Sequence, residues 1–89
     1  MRCFIAPAGV WLTLDAGRFE RVEYDPEARR LTVVLAPGDA FTPRAWLNVE
    51  TTIEGTPGWR PAGEVRAERG AWPIEFGKEP VGIDLVPDR

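Results

Sequence analysis

RAWLNVE, residues 44–50, sets Ala45, Leu47 and Val49 at alternate positions, with Arg44, Trp46, Asn48 and Glu50 between them. Successive side chains of a strand point to opposite faces, so one side of this stretch belongs on a core and the other toward solvent. An amphipathic helix would repeat its apolar positions every three to four residues, and here the period is two. Trp46 breaks the pattern, because it is a large aromatic ring in the middle of the otherwise polar side. Its placement is the first clue to anything beyond the fold.

The same period runs outward in both directions. In VWLTL (10–14), Val10, Leu12 and Leu14 share one side while Trp11 and Thr13 share the other. Asp15-Ala16-Gly17 supplies a turn in which glycine is free to take positive φ. RFERVEY (18–24) alternates Phe19, Val22 and Tyr24 in part with charge, and the slip in parity between Phe19 and Val22 indicates a bulge or a partly exposed strand start. In DPEAR (25–29), Asp25 can accept backbone hydrogen bonds and Pro26 fixes φ, the marks of a short hairpin loop. RLTVVLA (30–36) sends Leu31, Val33 and Leu35 inward, and a loop then leads to RAWLNVE. The first half therefore reads as a meander of about four strands.

The second half is richer in punctuation. GTPGWRPAG (55–63) is a Gly/Pro connection, and EVRAER (64–69) reads as a strand, because Val65 and Ala67 alternate with charge. A short helix is the alternative there, since Pro61 and Gly70 flank the stretch as helix ends. WPIEF (72–76) places Trp72, Ile74 and Phe76 on one side, and Pro73 confines it to a sheet edge or a strand start. VGIDLV (81–86) contributes Val81, Ile83 and Leu85. The expected fold is all-β: residues 1–89 form a single domain, a small antiparallel β-sandwich or partly open barrel of about six to seven short strands.

Composition narrows the chemistry. The 89 residues hold no histidine and one cysteine, Cys3. Imidazole acid–base chemistry, histidine metal sites and an internal disulfide framework are therefore excluded. A net charge of −3 offers no basic stripe for nucleic acid. No apolar run approaches the roughly 18 residues of a membrane helix. Pro7 and Gly9 interrupt the apolar start MRCFIAPAGVWL, so a strand is expected there rather than a signal peptide, and with it a cytoplasmic location. No cofactor motif is present: no Gly-rich phosphate loop joins a strand to a helix. Glu50 with Glu54, or Asp15 with Glu20 and Glu23, are the carboxylates that could act as an acid–base pair. Each lies amid alternating charge, which reads as a solvated strand face. Asp25, Glu27 and Asp39 have no calcium-loop spacing, so turn-making is the expected role of Asp25. Isolated Cys3 reads as a small buried hydrophobe. No catalytic residue is assigned, and the chain is expected not to be an enzyme.

The four tryptophans remain. Parity sends Trp11 and Trp46 away from the leucine-bearing side, and it puts Trp72 on the core side; Trp59 in the Gly/Pro connection fits either place. An outward pair of tryptophans has three readings: cover by a later segment of the same chain, a contact surface for a protein partner or second copy, or a stacking platform for sugar rings. Trp11, Trp46 and Trp59 are the candidate binding residues.

Residues 10–50 resemble the small C-terminal or accessory β-sandwich domains of multidomain glycoside hydrolases. The likeness rests on RVEYDPEARRLTVVL as strand, D-P turn and strand, on the preceding Asp15-Ala16-Gly17, and on the closing RAWLNVE. It implies a non-catalytic domain that packs on a larger protein, with glycan binding in some members. No catalytic residue transfers, because none lies in the matching part.

The register makes one direct prediction. Val10, Leu12, Leu14, Val22, Tyr24, Leu31, Val33, Leu35, Leu47, Val49, Ile83 and Leu85 should form one cluster. Val33→Asp would then bury an unpaired charge, and the expected outcome is loss of the folded state in a urea melt. Wild-type stability of that variant would mean the opposite strand register.

Overall fold

The computed structural model describes residues 1–37, 42–52, 54, 58–63, 67–68 and 70–87. Eight strands run through them: β1 (Arg2–Ile5), β2 (Val10–Leu14), β3 (Arg18–Asp25), β4 (Arg30–Ala36), β5 (Arg44–Thr51), β6 (Trp59–Pro61), β7 (Trp72–Glu75) and β8 (Val81–Pro87). They form two four-stranded antiparallel sheets, in the orders β1-β2-β5-β7 and β3-β4-β8-β6. The sheets pack face to face as a sandwich, and no barrel closes.

This topology corrects the meander. β2 does not pair with β3; it pairs with β5, with Leu12 opposite Val49 and Leu14 opposite Leu47. The chain changes sheets at Asp15–Gly17, and two contacts make the corner. The Asp15 carboxylate accepts the Trp46 backbone N–H at 2.7 Å, which occupies the donor that a continued β2 would have used. Gly17 then takes φ 80°, and a Cβ there would lie 2.8 Å from the Ala36 carbonyl oxygen and 3.0 Å from the Phe76 ring. Only glycine permits both the conformation and the approach.

Because β2 and β4 lie in opposite sheets, their apolar rows meet across the interior. Val10, Leu12 and Leu14 of β2, with Ala45 and Leu47 of β5 and Ile74 of β7, face Leu31, Val33 and Leu35 of β4, Leu85 of β8 and Trp59 of β6. Every fully buried aliphatic side chain of this kind contributes about 1.5–3 kcal/mol. Val22, Tyr24, Val49 and Ile83 pack half-buried on the same cluster. All twelve positions expected in the core therefore belong to it or lie against it.

Local signals are realised where they were strongest. The Asp25 carboxylate accepts the backbone N–H groups of Glu27 at 3.0 Å and Ala28 at 3.2 Å, and Arg29 (φ 52°) returns the chain to β4. The pairing of β3 with β4 shifts between Phe19 and Arg21, so the slipped parity is a bulge. β7, which carries Pro73, is an edge strand. Trp72 stands opposite Leu47 on the core side, yet it is only half-buried at that edge. Most of residues 64–69 lie outside the described residues; Glu68 makes an isolated bridge to Ala71.

Gly17→Ala separates the two demands of the corner. The substitution should lower the unfolding free energy by ~2–3 kcal/mol through positive φ and steric conflict together. Gly70→Ala, at a similar φ of 81° with nothing within 4 Å, should lose only the conformational part. Equal losses in urea melts would show that the close approach to Ala36 is unimportant.

Candidate functional site: the outer face of the first sheet

The two outer faces of the sandwich differ in kind. On the β3-β4-β8-β6 sheet the outward positions hold two ion pairs beside the small apolar positions Val34, Gly82 and Val86. Arg21 meets Glu23 at 3.4 Å, Arg30 meets Asp84 at 3.7 Å, and the Thr32 hydroxyl donates to Asp84 at 3.2 Å. Such exposed pairs contribute little to stability, and they describe a solvated surface.

On the β1-β2-β5-β7 sheet, cross-strand register assembles a different set. Phe4 of β1 stands opposite Trp11 of β2, which stands opposite Glu50 of β5. The next row is Arg2, Thr13 and Asn48. Beyond it, Trp46 stands opposite Pro73 of β7, and Arg44 opposite Glu75. The Phe4 and Trp11 rings lie 4.9 Å apart with planes tilted by 39°, and the Arg2 guanidinium sits over the Trp11 ring at 4.4 Å. Cross-strand aromatic pairs and guanidinium–indole stacking each add to the order of such a surface. At the far end, the Arg44–Glu75 ion pair at 3.4 Å closes the row beside Trp46.

Trp11 and Trp46 therefore do share one outer face, and both are half-buried by their neighbours there. They are not adjacent. Trp11 faces Glu50, and Trp46 lies four residues further along the same strand, roughly 14 Å at strand rise. Thr13 and Asn48 fill the interval, so the face has an aromatic cluster at one end and a single indole at the other.

Trp59 does not join them. It is 9% exposed, belongs to the core cluster and meets Tyr24 edge-on at 6.0 Å. Its strand β6 pairs with the end of β8, which turns the indole into the interior. Of the two places the sequence left open for Trp59, the structure puts it in the core, away from Trp11 and Trp46. Phe4 and Arg2 were missed in its place. Their parity is visible only across four residues, too short a run to fix an outward direction by itself.

The candidate acid–base carboxylates are all exposed. Glu23 is engaged by Arg21, and Asp15 holds the corner through Trp46 N–H. Asp25 serves its turn, and Asp39 lies outside the described residues. Among the described residues no three His, Cys, Asp or Glu side chains gather where they could hold a metal ion. Cys3 is a free thiol, half-buried against the core.

Comparison with known proteins matches residues 1–82 to a family of unknown function, DUF5695, and the chain belongs to that family. No curated protein and no solved structure matches it.

Proposed function

We propose that this member of the DUF5695 family is a non-catalytic interaction domain that docks the outer face of its β1-β2-β5-β7 sheet against a partner protein or a second copy. The observation that carries the reading is the asymmetry between the two outer faces. Among the described residues, one presents the Arg21–Glu23 and Arg30–Asp84 pairs and no aromatic ring contact, and the other presents Phe4, Trp11 and Trp46 beside Arg2, Glu50 and a single ion pair, Arg44–Glu75. Interfaces are enriched in tryptophan, phenylalanine and arginine and depleted of charge at their centres. A sheet face with exposed Phe4 and half-buried Trp11 at one end, half-buried Trp46 at the other, and Thr13 and Asn48 between, has that make-up. The resemblance of residues 10–50 to accessory β-sandwich domains of glycoside hydrolases supports a role beside a larger enzyme.

Glycan binding is the second reading, favoured by Trp46 with Asn48 two residues along the same face. Trp11 is less suited to it, because Arg2 and Phe4 already crowd its ring, and a sugar would have to displace them.

Trp46→Ser and Trp11→Ser test the proposal. Each should leave the unfolding midpoint nearly unchanged while weakening docking by about 2 kcal/mol, the scale of an interface hot spot, which is roughly thirtyfold in affinity. Sedimentation at several concentrations measures this for self-association, and tryptophan fluorescence during titration with soluble polysaccharides measures it for glycan. A loss of ~3–5 kcal/mol in stability with unchanged mass would make Trp46 an ordinary core residue and overturn the reading.

A further inference from the structure

Each sheet of an open sandwich has two edges, and proteins protect such edges with charge, proline or bulges. Three of the four edges here carry those devices. β3 has Arg18, Glu20, Arg21 and Glu23 together with a bulge; β6 has Pro61; β7 has Pro73. β1, RCFI, has no proline and no bulge, and its lone charge, Arg2, lies over Trp11. Met1 and Phe4, at 63% and 44% exposure, are the exposed large hydrophobic residues of the described chain, and both lie on this edge.

The backbone there has a defined phase. Met1 and Leu14 exchange both backbone bonds at 2.8 Å, so Met1, Cys3 and Ile5 direct their N–H and C=O groups toward β2. Arg2 and Phe4, on the alternate phase, direct theirs outward, where no described strand pairs with them. We propose that a second copy of the chain pairs its β1 with this edge, antiparallel across a two-fold axis, to join two four-stranded sheets into one of eight. The proposal rests on the reading of this face as an interface and names the second copy as its occupant.

Axes at Arg2, Cys3 and Phe4 within β1 keep this phase, and the side chains choose among them. An axis at Arg2 sets two like charges directly opposite each other, which is unfavourable. An axis at Phe4 overlaps only residues 3–5 before the Ala6–Ala8 turn intervenes. An axis at Cys3 overlaps residues 1–5 and pairs Arg2 with Phe4 of the second copy on both sides of the axis. Each of those pairs then exchanges both outward backbone bonds. On the outer face each row becomes Arg2 of one copy, then Phe4, Trp11 and Glu50 of the other, a cation and an anion flanking two rings. In this register the two Cys3 residues form the central non-hydrogen-bonded pair, with Cα atoms about 4.5 Å apart, inside the range a disulfide spans. A C2 strand pairing of this kind is closed, so it stops at a dimer. The contact is short and belongs with weak, concentration-dependent dimers.

The cysteine pair reports the register. Diamide, which takes up the two electrons and two protons released by two thiols, should link wild-type chains through Cys3 into a disulfide dimer seen on a non-reducing gel. Cys3→Ser should abolish the link and still double its mass in sedimentation as concentration rises. Phe4→Pro removes the outward N–H alone, which β1 does not use toward β2; it should stay folded and lose both dimer and link, whereas Phe4→Leu should keep them. A chain that stays monomeric across the concentration range, or a dimer that does not link through Cys3, overturns edge pairing. Mass doubling that depends on Trp46 without a Cys3 link would overturn edge pairing alone and leave the outer face as the interface. Linking that persists in Phe4→Pro would also overturn it.

Discussion

Everything in this structure follows from the corner at Gly17. If the chain continued from β2 into a hairpin with β3, Leu12 and Leu14 would lie in the same sheet as Val22 and Val33, and the leucine rows could not face each other. By crossing to the second sheet the chain turns those rows toward one another. The crossing is possible because position 17 has no Cβ to meet the Ala36 carbonyl oxygen at 2.8 Å. The Asp15 carboxylate completes it by satisfying Trp46 N–H, a donor left over where β2 ends. Once the crossing is made, period two settles the rest: each strand has one side in the core, and what remains outside is whatever the alternation leaves there.

What remains outside is unequal. The sheet built around β4 shows solvent its Arg21–Glu23 and Arg30–Asp84 pairs. The sheet built around β2 shows Phe4 and Trp11 in contact, with Trp46 further along. Small domains bury a smaller fraction of their surface than large ones do, so some aromatic surface stays outside by size alone; here it is gathered on one of the two sheets. The same sheet also has the unprotected edge, β1. The Phe4–Trp11 pair and the open backbone of β1 lie at one end of one sheet, and the proposed interface is placed there.

Much of this was legible in the sequence. The parity of VWLTL, RLTVVLA and RAWLNVE names the core residues and sends Trp11 and Trp46 outward, because side-chain alternation is a property of the strand itself. The bulge after Phe19, the Asp25 turn and the edge position of Pro73 were equally local. The crossing was not legible, since Asp15-Ala16-Gly17 suits a hairpin as well as a change of sheet; the choice depends on Ala36 and Phe76, far along the chain. Trp59 was ambiguous for a similar reason. Its Gly/Pro surroundings signal a surface connection, yet pairing of β6 with Pro87 and Val86 of β8 carries the indole inside. Trp72 has the parity of a core residue and is half-buried because its strand is an edge, a matter of sheet order and not of pattern.

The central claim is that β2 leaves its chain neighbour and pairs with β5. In antiparallel strands the Hα atoms of a non-hydrogen-bonded pair come close together, because those Cα atoms are only about 4.5 Å apart. The Leu12–Val49 and Leu14–Leu47 pairs have that relation here, since Leu14 and, by alternation, Leu12 direct their backbone groups toward β1. A nuclear Overhauser spectrum of the chain in solution should show strong Hα–Hα cross-peaks within both pairs. Cross-peaks linking Leu12 and Leu14 to residues of β3 instead would contradict the account, and would return the first half of the chain to a meander.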